Sequence, residues 1–264
     1  MPSVNNYKRT RNLFNPQSKA PYFLSRSRLE NFLRCPRCFY LDRRLGVDQP
    51  GMPAFTLNSA VDALLKKEFD LYRQKGQTHP LMERYGVKAV PFQHPQLQEW
   101  QEVFKGIRYH HQPTNLLMFG AIDDIWTDDK GVLYIVDFKS TSTSGTITLN
   151  GIYKEAYKRQ MEIYQWLLRH NQFDVSGTGY FVYCNADRSP EAFEGRLEFD
   201  MQIIAYQGDS SWVESAIEKA HACLMSENLP EYSKNCEFCQ YRQAVKKVEG
   251  EKFSHQEVQG ELFL

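Results

Sequence analysis

Gly120-Ala121-Ile122-Asp123-Asp124-Ile125-Trp126, then Asp128-Asp129-Lys130-Gly131, then Val132-Leu133-Tyr134-Ile135-Val136-Asp137-Phe138-Lys139 is the stretch on which the fold turns. The apolar run from Leu116 to Trp126 reads as a strand, the Asp/Lys/Gly cluster as a turn, and the run 132–139 as a second strand, so the two form a hairpin. Side chains two apart on a strand share a face. Asp137 and Lys139 therefore project together from the end of an apolar run, and Asp123 can come alongside through the hairpin. Two carboxylates and an ammonium there would suit a hard divalent cation, Mg²⁺ or Mn²⁺, which keeps waters and binds phosphate oxygens. An Asp-x-Lys at a strand end is also what a surface ion pair looks like, so the context has to decide.

Outward from the hairpin, a helix over about 57–74 carries Leu57, Val61, Leu64, Leu65, Phe69 and Tyr72 at helical spacing, with Asp62 at the edge of the stripe. Residues 76–95, punctuated by Gly76, Pro80, Gly86, Pro91 and Pro95, read as irregular, and a short helix is expected over 96–106. After the hairpin come a Ser/Thr-rich loop, a helix over about 152–169 with Tyr153, Tyr157, Met161, Tyr164 and Leu168 inward, strands near 177–184 and 194–205, and a helix near 210–226. Ser27-Arg28-Leu29-Glu30 has the form of a capping box opening a helix that Pro36 ends. The order helix, hairpin, helix, strand, strand, helix is a mixed α/β core. Residues 1–24 read as a flexible basic arm, 25–245 as one domain and 246–264 as a loosely held tail, with Leu262-Phe263-Leu264 available to dock. His110 and His111 read as loop or surface residues.

The 264 residues carry 32 basic and 32 acidic side chains, which argues against a generically sticky nucleic-acid binder. The balance is uneven: residues 1–46 hold ten basic residues against two acidic ones, a net +8 that leaves −8 for the rest. A basic segment on a mildly acidic body fits an anionic partner. No run of 18 apolar residues exists, so no membrane partner is expected. The start lacks an apolar leader, and a cytoplasmic location is expected. Six cysteines include two Cys-x-x-Cys pairs, Cys35/Cys38 and Cys236/Cys239, a pattern that points to metal. Four thiolates suit Zn²⁺ or an iron–sulfur cluster. Cys184 and Cys223 read as buried small hydrophobes.

Five elements in chain order resemble the PD-(D/E)XK nuclease superfamily, most closely its RecB/AddB-like branch and the CRISPR-adaptation exonucleases. Gly120 to Ile125 resembles the Gly-x-x-Asp motif, Val136 to Thr141 the Asp-x-Lys-Thr/Ser motif, and Gln160-Met161-Glu162-Ile163-Tyr164 the Gln-x-x-x-Tyr motif. Ser25 to Leu29 with Cys35-Pro36 resembles the opening helix and its Cys-Pro element, and Cys236-x-x-Cys239 falls where the cluster cysteines begin. The resemblance covers roughly 25–243. It implies a restriction-endonuclease-like core, a mixed sheet flanked by helices, whose chain ends are joined by the cysteine site. It implies Asp123 and Asp137 as metal ligands, Phe138 as a ligand through its carbonyl, and Lys139 as the catalytic lysine. Gln160 and Tyr164, one turn apart, would face the site and the DNA strand.

Two departures stand out. Asp62 takes the place of a histidine ligand, which keeps a donor and hardens the site, the alternative being an exposed helix carboxylate. The third C-terminal cysteine of the cluster pattern falls on Val245, so Cys38 would complete the set, as a [4Fe–4S] cluster by resemblance or Zn²⁺ by spacing. The expected activity is Mg²⁺- or Mn²⁺-dependent hydrolysis of DNA at ends or in single strands, with low sequence specificity because Arg26, Arg28, Arg37, Arg43 and Arg44 would contact phosphates only. A helicase or recombination partner would supply any unwinding. The competing reading is a catalytically silent DNA-binding module.

Overall fold

The computed structural model describes residues 8–51, 53, 55–151 and 154–253. In chain order the elements begin with β1 (Tyr22–Ser25), α1 (Arg26–Arg34), α2 (Pro36–Arg43), α3 (Thr56–Lys75), α4 (Pro80–Arg84), β2 (Val90–Pro91), α5 (Leu97–Gln101) and β3 (Ile107–His111). They continue with β4 (Leu116–Gly120), β5 (Asp124–Thr127), β6 (Leu133–Thr141), α6 (Glu155–His170), β7 (Thr178–Ala186), β8 (Phe199–Gln207), α7 (Val213–Met225) and α8 (Glu237–Phe253). Two compact units result. The larger takes residues 20–27 and 52–215, and the smaller takes 1–19, 28–51 and 216–264.

The larger unit holds a five-stranded mixed sheet of order β2-β5-β6-β7-β8 and a three-stranded sheet of order β1-β4-β3. β5 and β6 are the antiparallel hairpin, closed by a turn in which Asp128 Oδ1 accepts the Lys130 and Val132 amides and Gly131 takes φ +82°. β6 and β7 are parallel. Parallel neighbours need a crossover, and α6 supplies it. The even residues of β6, Val136 and Phe138, enter a core with Leu65 and Phe69 of α3, Leu81 and Met82 of α4, Trp126, Val182 and Ile203. The odd residues, Ile135, Asp137 and Lys139, take the opposite face, where α6 lies: a Cβ on Gly179 would sit 2.3 Å from Met161 Sδ.

Several expectations need correction. Leu116 to Trp126 is not one strand. The chain leaves the ladder at 121–123, so β4 belongs to the three-stranded sheet and β5 to the five-stranded one. Residues 22–24, assigned to an arm, form β1 together with Ser25 and pair in parallel with β4, and Phe14 is buried with its amide on the Arg43 carbonyl. Both contacts join residues distant in sequence, which no local period reveals. Residues 76–95 contain α4 and β2, and the 96–106 helix is cut to Leu97–Gln101. Helix α1 begins at Arg26, so Ser27 lies inside it. Residues 237–253, read partly as knuckle and partly as tail, are helical; Tyr153 and Leu262-Phe263-Leu264 fall outside the described residues. His111 is buried in β3, with Nδ1 on Thr114 Oγ1 and Nε2 2.5 Å from Glu214 Oε1, a partner 103 residues on.

Asp124, the other candidate of the acidic pair, is fully buried on β5. Its Oδ1 lies 2.6 Å from Arg73 Nη2 and accepts the Ile125 amide, and its Oδ2 accepts from the Trp126 indole at 3.2 Å. Removing one member of a buried ion pair leaves the other charge uncompensated. Asp124→Ala is therefore expected to lower stability by about 3–5 kcal/mol, read as a shifted midpoint in urea unfolding. A loss within about 0.5 kcal/mol, the range of ordinary surface changes, would contradict this.

Candidate active site and cysteine site

The register of the hairpin builds the first half of the site. Asp124 pairs with Val136, so Asp123 stands opposite Asp137 just where β5 begins. Asp123 Oδ2 accepts the Phe138 amide at 3.0 Å, and its main-chain carbonyl accepts from Gln101 Nε2 at 2.8 Å. Asp137 is fully buried. Its Oδ1 accepts from Gln160 Nε2 of α6 at 2.7 Å, and its Oδ2 forms an ion pair with the Lys139 ammonium. Both oxygens of the buried carboxylate are therefore engaged, one by an amide and one by an ammonium. Burial pushes the Asp137 carboxyl up; Lys139 opposes this, Asp123 adds to it, and the group stands at about 6. Lys139 Nζ also lies 3.5 Å from the Phe138 carbonyl and 4.7 Å from the centre of the Tyr157 ring. Burial alone would lower the lysine, but Asp137 and Asp123 hold it above its ordinary value.

Tyr164, one turn beyond Gln160, is buried against Gly120: a Cβ there would stand 2.6 Å from Tyr164 Cε1. The glycine of the Gly-x-x-Asp motif is thus the gap into which the tyrosine of the Gln-x-x-x-Tyr motif fits. Burial raises the Tyr164 hydroxyl, and a hydrogen bond with Arg26 pulls it the other way.

Asp62 lies on α3, half-buried, with its Oδ2 2.9 Å from Lys66 Nζ, which also stands 3.7 Å from Asp123 Oδ1. Burial and the Asp123 charge raise the Asp62 carboxyl, and Lys66 lowers it. The carboxylates of Asp62, Asp123 and Asp137 do not all converge as a three-ligand set; among the described residues only the four cysteines do. Sequence reasoning passed over Lys66, although an acid and a base at i and i+4 share a helix face. It also passed over Lys154, whose Nζ is 3.2 Å from Tyr183 Oη. Of the five arginines offered for DNA contact, four are engaged within the smaller unit. Arg28 and Arg43, with Arg9, converge on the buried Asp42. Arg44 donates to the Phe14 carbonyl and Arg37 to the Pro230 carbonyl.

In the smaller unit Cys35, Cys38, Cys236 and Cys239 are all buried, and their sulfurs lie within 4.8 Å of one another. Cys35 caps α2 and Cys38 sits in its first turn; Cys236 precedes α8 and Cys239 sits in its first turn. At the start of α2 a backbone amide reaches the Cys35 thiol, a setting that favours thiolate there. For Cys35 burial opposes ionisation, yet hydrogen bonds from the Cys38 and Ser233 backbone and from Cys236 and Cys38 bring it down to about 7. Burial pushes Cys38 and Cys239 upward, the latter to about 11. Four sulfurs this close cannot all be ionised without a cation among them. Three of the sulfur–sulfur separations are 3.5 Å (Cys38–Cys239), 3.6 Å (Cys38–Cys236) and 3.9 Å (Cys35–Cys239). One tetrahedral ion with bonds of about 2.3 Å sets its sulfurs about 3.8 Å apart. A cubane holds each thiolate on a separate iron and sets the sulfurs wider; four thiols this close could hold a metal ion or a cluster. Cys184 is buried in β7, and Cys223 Sγ lies 3.9 Å from the Pro36 carbonyl; neither joins the set.

No helix among the described residues is long and apolar enough to cross a membrane. None of the curated proteins matches the sequence. The solved structure of SSO0001 covers 85% of this chain and 85% of its own at 16% identity, with a TM-score of 0.39, a likeness too slight to build on. The sequence itself matches the PD-(D/E)XK nuclease superfamily over residues 24–244. That span includes both cysteine pairs and every residue around Asp137, and the chain belongs to the PD-(D/E)XK nuclease superfamily.

Proposed function

We propose that this protein is a Mg²⁺- or Mn²⁺-dependent DNA nuclease of RecB/AddB-like character, acting on DNA ends or single strands in repair, recombination or defence. The observation that carries the reading is the buried Asp137, in the middle of β6, flanked by Asp123, Lys139 and Gln160. A retired fold has no physical need for a fully buried carboxylate beside a second carboxylate and a lysine.

Asp123, Asp137 and the Phe138 carbonyl would hold the divalent ion. When bound, it supplies a more acidic water and charge for the phosphate oxygens. Lys139 orients the attacking water and stabilises the negative charge that builds on the phosphoryl oxygens as the new P–O bond forms and the old one breaks. Gln160 fixes the Asp137 carboxylate through its amide. Tyr164 and Arg26 line the same end of the sheet, and Arg26 is the arginine best placed to meet a phosphate. Phosphate contacts carry no base identity, so cleavage should show little sequence preference. Unwinding would fall to a helicase or recombination partner.

We assign the four-cysteine site to one Zn²⁺ ion, in place of the cluster that the resemblance implied. Its role is structural, because a tetrathiolate ion has no open coordination position.

The nuclease is tested by digesting end-labelled single- and double-stranded DNA with Mg²⁺ or Mn²⁺. Lys139→Ala should reduce cleavage roughly 100-fold or more. Intact DNA with folded, metal-loaded wild type would point instead to the silent DNA-binding module. The pH dependence has a defined sign. The ion needs Asp137 ionised, and a proton competes for it below about 6. Mn²⁺ affinity should be level above that pH and weaken by about tenfold per unit below it, measured by calorimetric titration. Metal analysis of the purified protein should give one zinc per chain, no iron and no visible cluster absorption. Cys239→Ser should lose the zinc and lower the melting temperature; iron and inorganic sulfide in stoichiometric amounts would refute the zinc assignment.

A further inference from the structure

Lys66 is placed as few lysines are. It projects from α3 one turn beyond Asp62, with Nζ 2.9 Å from Asp62 and 3.7 Å from Asp123, and its side chain is 22% exposed. At the other flank the Lys139 ammonium does the same for Asp137, at 15% exposure. The reaction centre therefore alternates acid and base across its width: Lys66, Asp62 and Asp123 on one edge, Asp137 and Lys139 on the other.

Charge counting shows what this arrangement admits. Three carboxylates and two ammoniums leave a formal −1. One divalent ion brings the site to +1, which a single phosphodiester neutralises. A second would leave uncompensated positive charge in a half-buried site, beside an ammonium it would have to displace. Asp123 and Asp137 face each other across the hairpin, Asp123 accepting the Phe138 amide and Asp137 held by Gln160 and Lys139, while Lys66 is tied most closely to Asp62.

We propose that Lys66 is a built-in cation occupying the Asp62–Asp123 edge in place of a second divalent ion, so that this nuclease binds one catalytic metal. The inference rests on the metal-dependent reading above. Lys66 acts as a positioning residue: it holds Asp62 and Asp123 apart from a second ion and adds a fixed positive charge on the side away from Lys139. This also accounts for an aspartate where the family has a histidine. A neutral imidazole would leave Lys66 without its anionic partner on α3, whereas Asp62 completes the pair.

The test is a count of bound ions without DNA. Free Mn²⁺ is followed by electron paramagnetic resonance during titration of the full chain with its cysteine site zinc-loaded. Wild type should bind one Mn²⁺ per chain. Lys66→Met should bind two, Lys66→Arg should return to one, and Lys66→Met combined with Asp62→Asn should also return to one. Thermal melts of each variant confirm that a folded chain is being counted. Two ions in wild type, or one in Lys66→Met, would overturn the proposal. No Mn²⁺ bound by wild type would instead bring down the metal-dependent reading beneath it, so the two failures are told apart by the number observed.

Discussion

A carboxylate with no solvent exposure sits in the middle of β6, and the elements around it are arranged so that Asp137 can be there. An ionised group in that position is strongly unfavourable unless it is paired and hydrogen-bonded. Lys139, two residues on and on the same face, supplies the charge. The parallel pairing of β6 with β7 forces a crossover, and the crossover helix α6 is what brings Gln160 to the second oxygen. The same helix lays Tyr164 into the space left by Gly120. Three short motifs far apart in the chain are thus a single packing unit, each member shaped by what the other two leave open.

Asp123 and Asp124 show how one backbone step separates chemistry from architecture. The chain leaves the ladder before Asp123 and re-enters it at Asp124. Asp124 points into the core, is matched by Arg73 and the Trp126 indole, and helps anchor α3 against β5. Asp123, a residue earlier, stands beside Asp137 and reaches the Phe138 amide. Arg73 and Lys66, both on α3, each meet one of these two carboxylates. The helix is therefore a ruler: Asp62 and Lys66 stand beside Asp123, and Arg73, two turns on from Lys66, meets the core carboxylate Asp124.

In the smaller unit the organising interactions are again electrostatic. Cys35/Cys38 and Cys236/Cys239, about 200 residues apart in the chain, meet at the starts of two helices, and a backbone amide favours the Cys35 thiolate. Nearby in the same unit, Asp42 gathers Arg9, Arg28 and Arg43. The excess of arginine at the start of the chain is largely internal structure, which changes what its +8 means. It is not a free strip of charge awaiting an anion.

Patterns with a short period were legible directly. The α3 stripe, the β5–β6 hairpin with its Asp/Gly turn, α6 and the paired strands after it follow from spacing and turn chemistry, because local sterics and burial set those periods. The same-face placement of Asp137 with Lys139 and of Gln160 with Tyr164 follows from helix and strand geometry alone. So does the pairing of the cysteines into two Cys-x-x-Cys units. Other features depend on contacts between distant residues, which leave no period to read. These include β1 on β4, the break at 121–123, the burial of His111 on Glu214, the capture of three arginines by Asp42, and Lys66 between Asp62 and Asp123. Alternation along a strand says that Asp123 and Asp124 diverge, and only the position of α3 says which of them meets the core.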